Sequence, residues 1–199
     1  MFHTTIKSQQ CGFTLLEVLI AFIILSVGIL GIINLQSMSK KFTHQSIQRS
    51  LAVIFADIII ERIRINPSAL VTYTSSNMVG NNTLGKQPTV NCYNASCNAT
   101  QLALSDMWKW EQALAGATVT AAGINTSGLI SPKACLVFTP TTGKQRTGIL
   151  SVQVQWTGLD RLSDAITKAD TNCNASTFKA DPFRRQVVIN TYLLDETES

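Results

Sequence analysis

The 199-residue chain is poor in charge and lacks the motifs of common catalytic and nucleotide-binding sites. Charged residues make up 14% of the sequence, whereas about 25% is usual in soluble proteins. The formal net charge of +4 is small and no long basic stripe accompanies it, so composition gives no reason to expect a nucleic-acid partner. Only two histidines occur, His3 and His44, and neither an HExxH nor a GxSxG motif is present. The sequence therefore predicts a protein that is not an enzyme and that holds no cofactor or metal ion.

One stretch resembles a phosphate-binding loop without matching it. The segment from Gly80 to Lys86 has the glycine and lysine spacing of that loop. However, Gln87 stands where a serine or threonine must hold magnesium, and Pro88 disfavours the helix whose N-terminus would meet the phosphates. We interpret this segment as a turn.

A long apolar run lies near the N-terminus. Residues Phe13 to Ile33 form 21 positions with a single charge, Glu17, and a helix of this length spans the roughly 30 Å core of a bilayer. No glycine or proline follows until Pro67, and apolar residues recur every three or four positions, so we expect the helix to continue to Ile65 as an amphipathic helix. The apolar stripe that we expect to pack on a folded domain consists of Ile47, Leu51, Ile54, Phe55, Ile58, Ile59 and Ile63.

The rest of the chain predicts loops, one short helix and a sheet. Residues 66–101 are rich in Asn, Ser and Gly and read as a loop. A helix is predicted over Ser105–Ala115, with its first serine as the N-cap. Three strands are predicted, at Ala134–Thr139, Ile149–Thr157 and Gln186–Leu194, and the second of them alternates cleanly between apolar and polar residues.

Five cysteines indicate disulfides in an oxidising compartment. Cys11 precedes the apolar run, which leaves an even number in the polar part of the chain. The alternatives are free thiols or a zinc site, and zinc is disfavoured because only one close pair occurs and no histidine follows it. Four cysteines permit three pairings. We predict Cys92–Cys97 and Cys135–Cys173.

The junction Gly12-Phe13-Thr14-Leu15-Leu16-Glu17 resembles that of type IV prepilins. In that family a leader ends in glycine, and a phenylalanine, a Thr-Leu-Leu/Ile-Glu core and an apolar helix follow. The resemblance implies that a prepilin peptidase cleaves after Gly12 and N-methylates Phe13. Cys11 departs from the family pattern, which usually has a basic residue before the glycine.

Glu17 has a physical reason to take part in assembly. A carboxylate within an apolar span costs about 2.5–3.5 kcal/mol on insertion scales, so it needs a partner. Cleavage would create an amine at Phe13, one helical turn away, which could pair with Glu17 of the same chain or of an adjoining subunit. The alternative is a glutamate that reaches the headgroups from a helix end. Gly28 and Gly31 either help the helix unwind on assembly, as in related pilins, or let helices approach closely.

Further segments, ILSVGILGIINLQ and RSLAVIFADIIIERIRINP, are similar to PilV-type minor pilins. The resemblance implies the α+β type IV pilin fold, in which a long N-terminal helix, first transmembrane and then amphipathic, packs on an antiparallel β-sheet. It also implies a division into a cleaved leader, a transmembrane half-helix, an amphipathic half-helix and a disulfide-bearing periplasmic head, which here are residues 1–12, 13–33, 34–66 and 67–199.

The function implied by this resemblance is that of a minor pilin. Such a subunit is anchored in the bacterial inner membrane and then enters an extracellular type IV pilus with the major pilin and other minor pilins. There it aids assembly initiation, motility or adhesion. The alternatives are a minor pseudopilin of type II secretion, or a pilin with an adhesin or DNA-uptake role.

Overall fold

A computed structural model describes residues 12, 14–75, 78–80, 82–92, 94–117, 120–121, 124–125, 127–161 and 181–198. The chain forms two compact units, one up to Thr43 and one from His44 onward. The helices are α1 (Leu15–Ile65), α2 (Leu70–Thr74) and α3 (Ala99–Leu114), with short 3-10 helices at Pro67–Ala69 and Glu196–Glu198. The strands are β1 (Thr120–Ala121), β2 (Ile124–Asn125), β3 (Lys133–Pro140), β4 (Gly148–Thr157) and β5 (Arg184–Leu193).

Helix α1 confirms the prediction of one long N-terminal helix. It covers 51 residues and ends at Ile65, where Pro67 follows and cannot continue the helical hydrogen bonding. Within the first unit every described residue of α1 is exposed. Among the described residues, α1 is the one helix long and apolar enough to cross a membrane.

The region after α1 is more helical than the sequence predicted. The loop expected over residues 66–101 contains Pro67–Ala69 and α2, and α3 begins at Ala99 rather than near Ser105. The earlier start has a local cause. The side chain of Asn98 accepts a hydrogen bond from the amide of Gln101 (2.8 Å), and the side chain of Gln101 accepts one from the amide of Asn98 (3.0 Å). This reciprocal capping box stabilises the helix start.

The second unit contains an antiparallel three-stranded sheet in the order β3–β4–β5. All three predicted strands are confirmed to within two residues of their ends. In the central strand β4, Val152 lies between Leu136 of β3 and Ile189 of β5. Residues 120–125 also contain the short β1–β2 pair, which the sequence did not predict.

One face of the sheet packs with α1 and α3 in the hydrophobic core. Trp110 of α3 is almost fully buried, and its indole N–H donates to the carbonyl of Phe55 in α1 (2.8 Å). The sheet contributes the apolar side of β4, as its alternation predicted. The members of the core that carry this packing include Ala52, Ala56, Ile59, Ile63, Tyr73, Met107, Leu114, Leu150, Val152, Val154 and Trp156. The observed architecture is the α+β type IV pilin fold expected from the sequence.

Candidate assembly surface

At the start of α1, Thr14 caps the helix by accepting hydrogen bonds from the amide of Glu17. The backbone amide of Glu17 donates to the side-chain oxygen of Thr14 (3.3 Å) and to its carbonyl oxygen (3.1 Å). Thr14 therefore caps the helix, with a glutamate at the third helical residue, where a negative charge also interacts favourably with the helix dipole. This cap was not predicted, although the Thr-x-x-Glu spacing of Thr14 and Glu17 is its usual sequence signal.

The predicted processing residues, Gly12 and Phe13, lie directly before this cap in the chain. Gly12 is exposed, and Phe13 lies outside the described residues. Glu17 is exposed on the helix, so its side chain is accessible from outside the subunit. The pairing of Glu17 with an amine at Phe13 stays a prediction.

The apolar part of α1 presents a hydrophobic surface without interruption. Between Leu15 and Ile33 the large apolar side chains are all exposed, for example Ile24 at 68% and Leu30 at 61%. Soluble monomeric proteins rarely expose a contiguous apolar patch of more than a few hundred square ångströms. This segment therefore needs cover from lipid or from other protein chains.

The part of α1 in the second unit has two different apolar faces. The expectation of one stripe packed on the folded domain is wrong for three of its seven residues. Ile59 and Ile63 are fully buried and Phe55 is nearly so, whereas Ile47, Ile54 and Ile58 are 52%, 51% and 39% exposed. We call Ile47, Ile54 and Ile58 the exposed seam; Leu51, which lies between them in the sequence, is half-buried against the core. The members are seven and four residues apart, which places them on one face of the helix, as in residues that pack one helix against another.

A buried polar cluster attaches α1 to the helices that follow it. Arg62 forms an ion pair with Asp106 of α3, and the hydroxyl of Tyr73 in α2 donates to the other oxygen of Asp106 (2.8 Å). Burial, and secondly the hydrogen bond to Asp106, raises the pKa of Tyr73 well above its usual value, so this hydroxyl stays protonated and donates. The cluster joins three helices at one carboxylate.

A second buried carboxylate, Glu111, organises the turn that resembles a phosphate-binding loop. One oxygen of Glu111 accepts from the amides of Gly80 (3.0 Å) and Thr83 (2.6 Å) and from the hydroxyl of Thr83 (2.7 Å). The other oxygen accepts from the amide of Leu84 (3.0 Å). Gly80 and Asn82 have positive φ angles, which turn successive amides toward one anion. The anion held here belongs to the protein itself.

Three of the four cysteines of the second unit lie within the described residues. Cys92 and Cys97 form a disulfide in the loop before α3. Cys135 is buried in β3 and is disulfide-bonded, while Cys173 lies outside the described residues, so the Cys135–Cys173 pairing stays a prediction. Over the described ranges, no three metal-ligating side chains are grouped to hold an ion.

The C-terminal residues close over the turn between β3 and β4. The guanidinium of Arg146 contacts Asp195 (2.5 Å), and the amide of Arg146 donates to Glu198 (2.9 Å). A hydrogen bond from Thr197 lowers the pKa of Asp195. Burial raises the pKa of Glu198, but hydrogen bonds from the amides of Arg146 and Gln145 outweigh this effect and leave that pKa below its usual value. Both carboxylates are thus held in their charged form.

Two family models match adjoining parts of the chain. Residues 7–33 match the prokaryotic N-terminal methylation motif, and residues 34–108 match a model described as type IV pilin Tt1218. Neither a curated protein nor a solved structure matches. The first match covers the predicted leader junction and the apolar part of α1. The second match covers the exposed seam, the buried cluster around Asp106 and the start of α3.

Proposed function

We propose that this chain, a type IV pilin by its N-terminal methylation motif and its Tt1218-like domain, is a PilV-type minor pilin. The motif implies processing by a prepilin peptidase and assembly with other pilins. In this proposal residues 1–12 are the leader, 13–33 anchor the subunit in the inner membrane, and 34–66 complete the helix. Residues 67–199 form a head on the periplasmic side before the subunit enters the pilus.

One observation carries the proposal: the uncovered apolar part of α1, Leu15 to Ile33, contains one carboxylate, and this carboxylate is the fifth residue after the predicted cleavage site. A membrane anchor alone needs no charge, and an inserted carboxylate is unfavourable. An amine at Phe13 would neutralise Glu17 at the moment when cleavage prepares the subunit for assembly, and methylation would keep the positive charge. Glutamate at this position therefore has a role in subunit docking that a simple anchor would lack.

The exposed seam supports the same function in the second unit. Ile47, Ile54 and Ile58 present an apolar line to the outside of a helix that already has a buried face. Helices with apolar residues at this spacing pack side by side. In a pilus, the helix of another pilin would cover this line after the subunit leaves the membrane.

The proposal is tested on the mature N-terminus. Protein sheared from the surface of the native host is digested and its N-terminal peptide is identified by mass spectrometry. We expect this peptide to begin at Phe13 with one N-methyl group. A chain that begins at Met1 and is missing from sheared fibres would contradict the pilin function.

The role of Glu17 is tested with Glu17→Ala and the control Thr14→Ala. We expect Glu17→Ala to insert into the inner membrane normally and to enter pili at least tenfold less well, because the amine of Phe13 would lack its partner. Thr14→Ala removes the helix cap, typically about 1 kcal/mol of helix stability, and leaves the carboxylate in place. Incorporation is measured by immunoblots of membrane and sheared-pilus fractions. Equal losses in the two variants would show that a weakened helix start alone explains the effect of Glu17→Ala.

Deletion of the gene separates the alternatives. Loss of twitching motility with normal protein secretion is expected for a minor pilin. Loss of protein secretion with normal motility would identify a type II secretion pseudopilin instead. Normal motility and normal secretion together with lost surface adhesion or DNA uptake would favour the ligand-binding alternatives.

A further inference from the structure

One end of the three-stranded sheet brings three separate segments together. The amide of Thr157 donates to the carbonyl of Ile130 (2.8 Å), and the amide of Gly158 donates to the carbonyl of Phe183 (2.7 Å). The guanidinium of Arg184 donates to the carbonyl of Ser131 (2.7 Å). The segments before β3, after β4 and before β5 therefore form one surface.

Two glutamines of α1 attach this surface to the beginning of the second unit. The side chain of Gln45 donates to the carboxylate of Asp160 (3.0 Å). The side chain of Gln48 donates to the carbonyl of Gly128 and accepts from the amide of Ile130, both at 3.2 Å. Since the second unit begins at His44, this is the end of the unit that lies nearest in the chain to the apolar run.

This end of the sheet is basic, whereas the opposite end is not. Five basic residues and two acidic ones occur here, an excess of three positive charges, while the opposite end has two basic and three acidic residues. Residues 162–180, outside the described ranges, contain two lysines and two aspartates and so carry no net charge. We call Arg49, Lys133, Arg161, Arg184 and Arg185 the basic end, where the acidic residues are Asp160 and Asp181; the opposite end has Lys144, Arg146, Asp195, Glu196 and Glu198.

Individual residues of the basic end are available to a partner. Arg49 and Arg161 are exposed, and Arg49 directly follows Gln48, which is hydrogen-bonded to Gly128 and Ile130. Arg184 and Arg185 are partly buried and are held in place by backbone carbonyls. The surface thus combines two fixed guanidinium groups with two freely accessible ones.

From this arrangement we propose that the basic end binds the anionic headgroups of the membrane in which the subunit is anchored before assembly. The inference rests on the proposed function, because it takes residues 13–33 as the membrane span. Eleven residues separate Ile33 from Gln45, and as a helix they extend no more than about 17 Å. This short connection allows the basic end to reach the headgroup layer, where the attraction of exposed cations to anionic lipid acts over about 8 Å at physiological salt.

Position in the chain favours lipid over nucleic acid as the partner. A headgroup-binding surface needs a short connection to the anchor in the chain, and a DNA-binding surface does not. Lys40 and Lys41 also lie between Ile33 and His44 in the sequence, where they add to the attraction for an anionic leaflet. Binding of this kind would retain the head at the bilayer until neighbouring pilins displace it.

The test uses the full chain in lipid nanodiscs of phosphatidylcholine, with or without 30% phosphatidylglycerol. Hydrogen exchange is followed by mass spectrometry in peptides that cover residues 128–133, 157–161 and 181–185. We expect exchange to be at least threefold slower with phosphatidylglycerol, and this difference to vanish in 0.5 M sodium chloride. Equal exchange in the two lipids at low salt would overturn the proposal.

Paired variants locate the effect. Arg49→Glu with Arg161→Glu changes two exposed residues of the basic end and is expected to abolish the slowing, while Lys86→Glu with Lys109→Glu makes the same charge change elsewhere and is expected to preserve it. Equal loss in both pairs would overturn the assignment to the basic end. Protection by a DNA duplex without protection by phosphatidylglycerol would assign the surface to nucleic acid.

Failure of this inference is distinguishable from failure of the proposed function. Residues 15–33 should resist exchange in both lipids because they span the bilayer. If they exchange freely, the membrane anchor itself is wrong. If they are protected but the basic end shows no lipid dependence, the anchor stands and only the headgroup contact is refuted.

Discussion

The two parts of helix α1 differ in where their apolar side chains go, although both belong to one uninterrupted helix. From Leu15 to Ile33 every large apolar side chain is exposed, and the single charge is Glu17. In the second unit, one face of α1 is buried by α3 and the sheet, while the exposed seam is left uncovered. The apolar side chains of the first part need lipid or other protein chains to shield them from water. Those of the second part are partly shielded by the rest of the second unit. Mutations in the two parts should therefore affect different measurements.

The largest expected effect on stability comes from the buried face. Ile59 has no exposed surface, and truncating such a side chain costs about 2–5 kcal/mol. We expect Ile59→Ala to lower the free energy of unfolding of the second unit by about 3 kcal/mol. The measurement is urea unfolding of the full chain in detergent micelles, followed by tryptophan fluorescence, since all three tryptophans lie in this unit.

The matched control lies in the apolar part of the same helix. Ile24→Ala removes the same atoms from a side chain that is 68% exposed. It is expected to change the free energy of unfolding by less than about 0.5 kcal/mol, as surface substitutions usually do. A loss similar to that of Ile59→Ala would mean that the two parts of α1 are not independent in stability.

The exposed seam is expected to show the opposite pattern. Ile54→Gln should leave the free energy of unfolding within about 0.5 kcal/mol of the original value, because this side chain lies outside the core. The same change should reduce recovery of the subunit in sheared pili several-fold, because it would place an amide in the helix–helix contact proposed for the seam. Ser46→Gln, an exposed change on the same helix away from the seam, is the control. Equal recovery of both variants would show that the seam does not contact a neighbouring pilin.

The smallest effect concerns the C-terminal contacts of Arg146. Because the pKa values of Asp195 and Glu198 are lowered in the folded chain, their contribution to stability is present above the unfolded values, about 3.9 and 4.3. It is lost as the pH falls through the lower folded values. We expect the amide signal of Arg146 in nuclear magnetic resonance spectra to titrate below the unfolded glutamate value of about 4.3, because this amide donates to Glu198. Titration of this signal at or above pH 4.3 would contradict the lowered pKa of Glu198.

Local sequence patterns were sufficient for most elements of the fold. Strand β4 follows from clear apolar–polar alternation, strands β3 and β5 follow from short segments rich in apolar residues, and Pro67 ends α1 as expected. The start of α3 was misplaced because the capping box of Asn98 and Gln101 was overlooked in a segment that reads as loop. Two helical segments near Pro67 were also missed, since three to five residues carry too little periodicity to separate a helix from a turn.

The buried carboxylates were less accessible to sequence reasoning. Glu111 lies on a helix where a glutamate is ordinarily solvated, and its ligands are amides of a turn about thirty residues earlier. Asp106 likewise receives Arg62 and Tyr73 from two other helices. Nothing in the spacing of these residues indicates such contacts, because amides have no side-chain signature and ion pairs across elements depend on tertiary geometry.

By itself, the sequence determined the apolar helix with its isolated glutamate and the alternation of β4, because each of these depends on neighbours within one or two helical turns. Only the tertiary structure decided which apolar residues of α1 face the core and which form the exposed seam. A helical stripe contains no information about the width of the surface that will cover it. That width is set by how far α3 and the sheet reach around the helix, and it leaves Ile54 outside while burying Ile59.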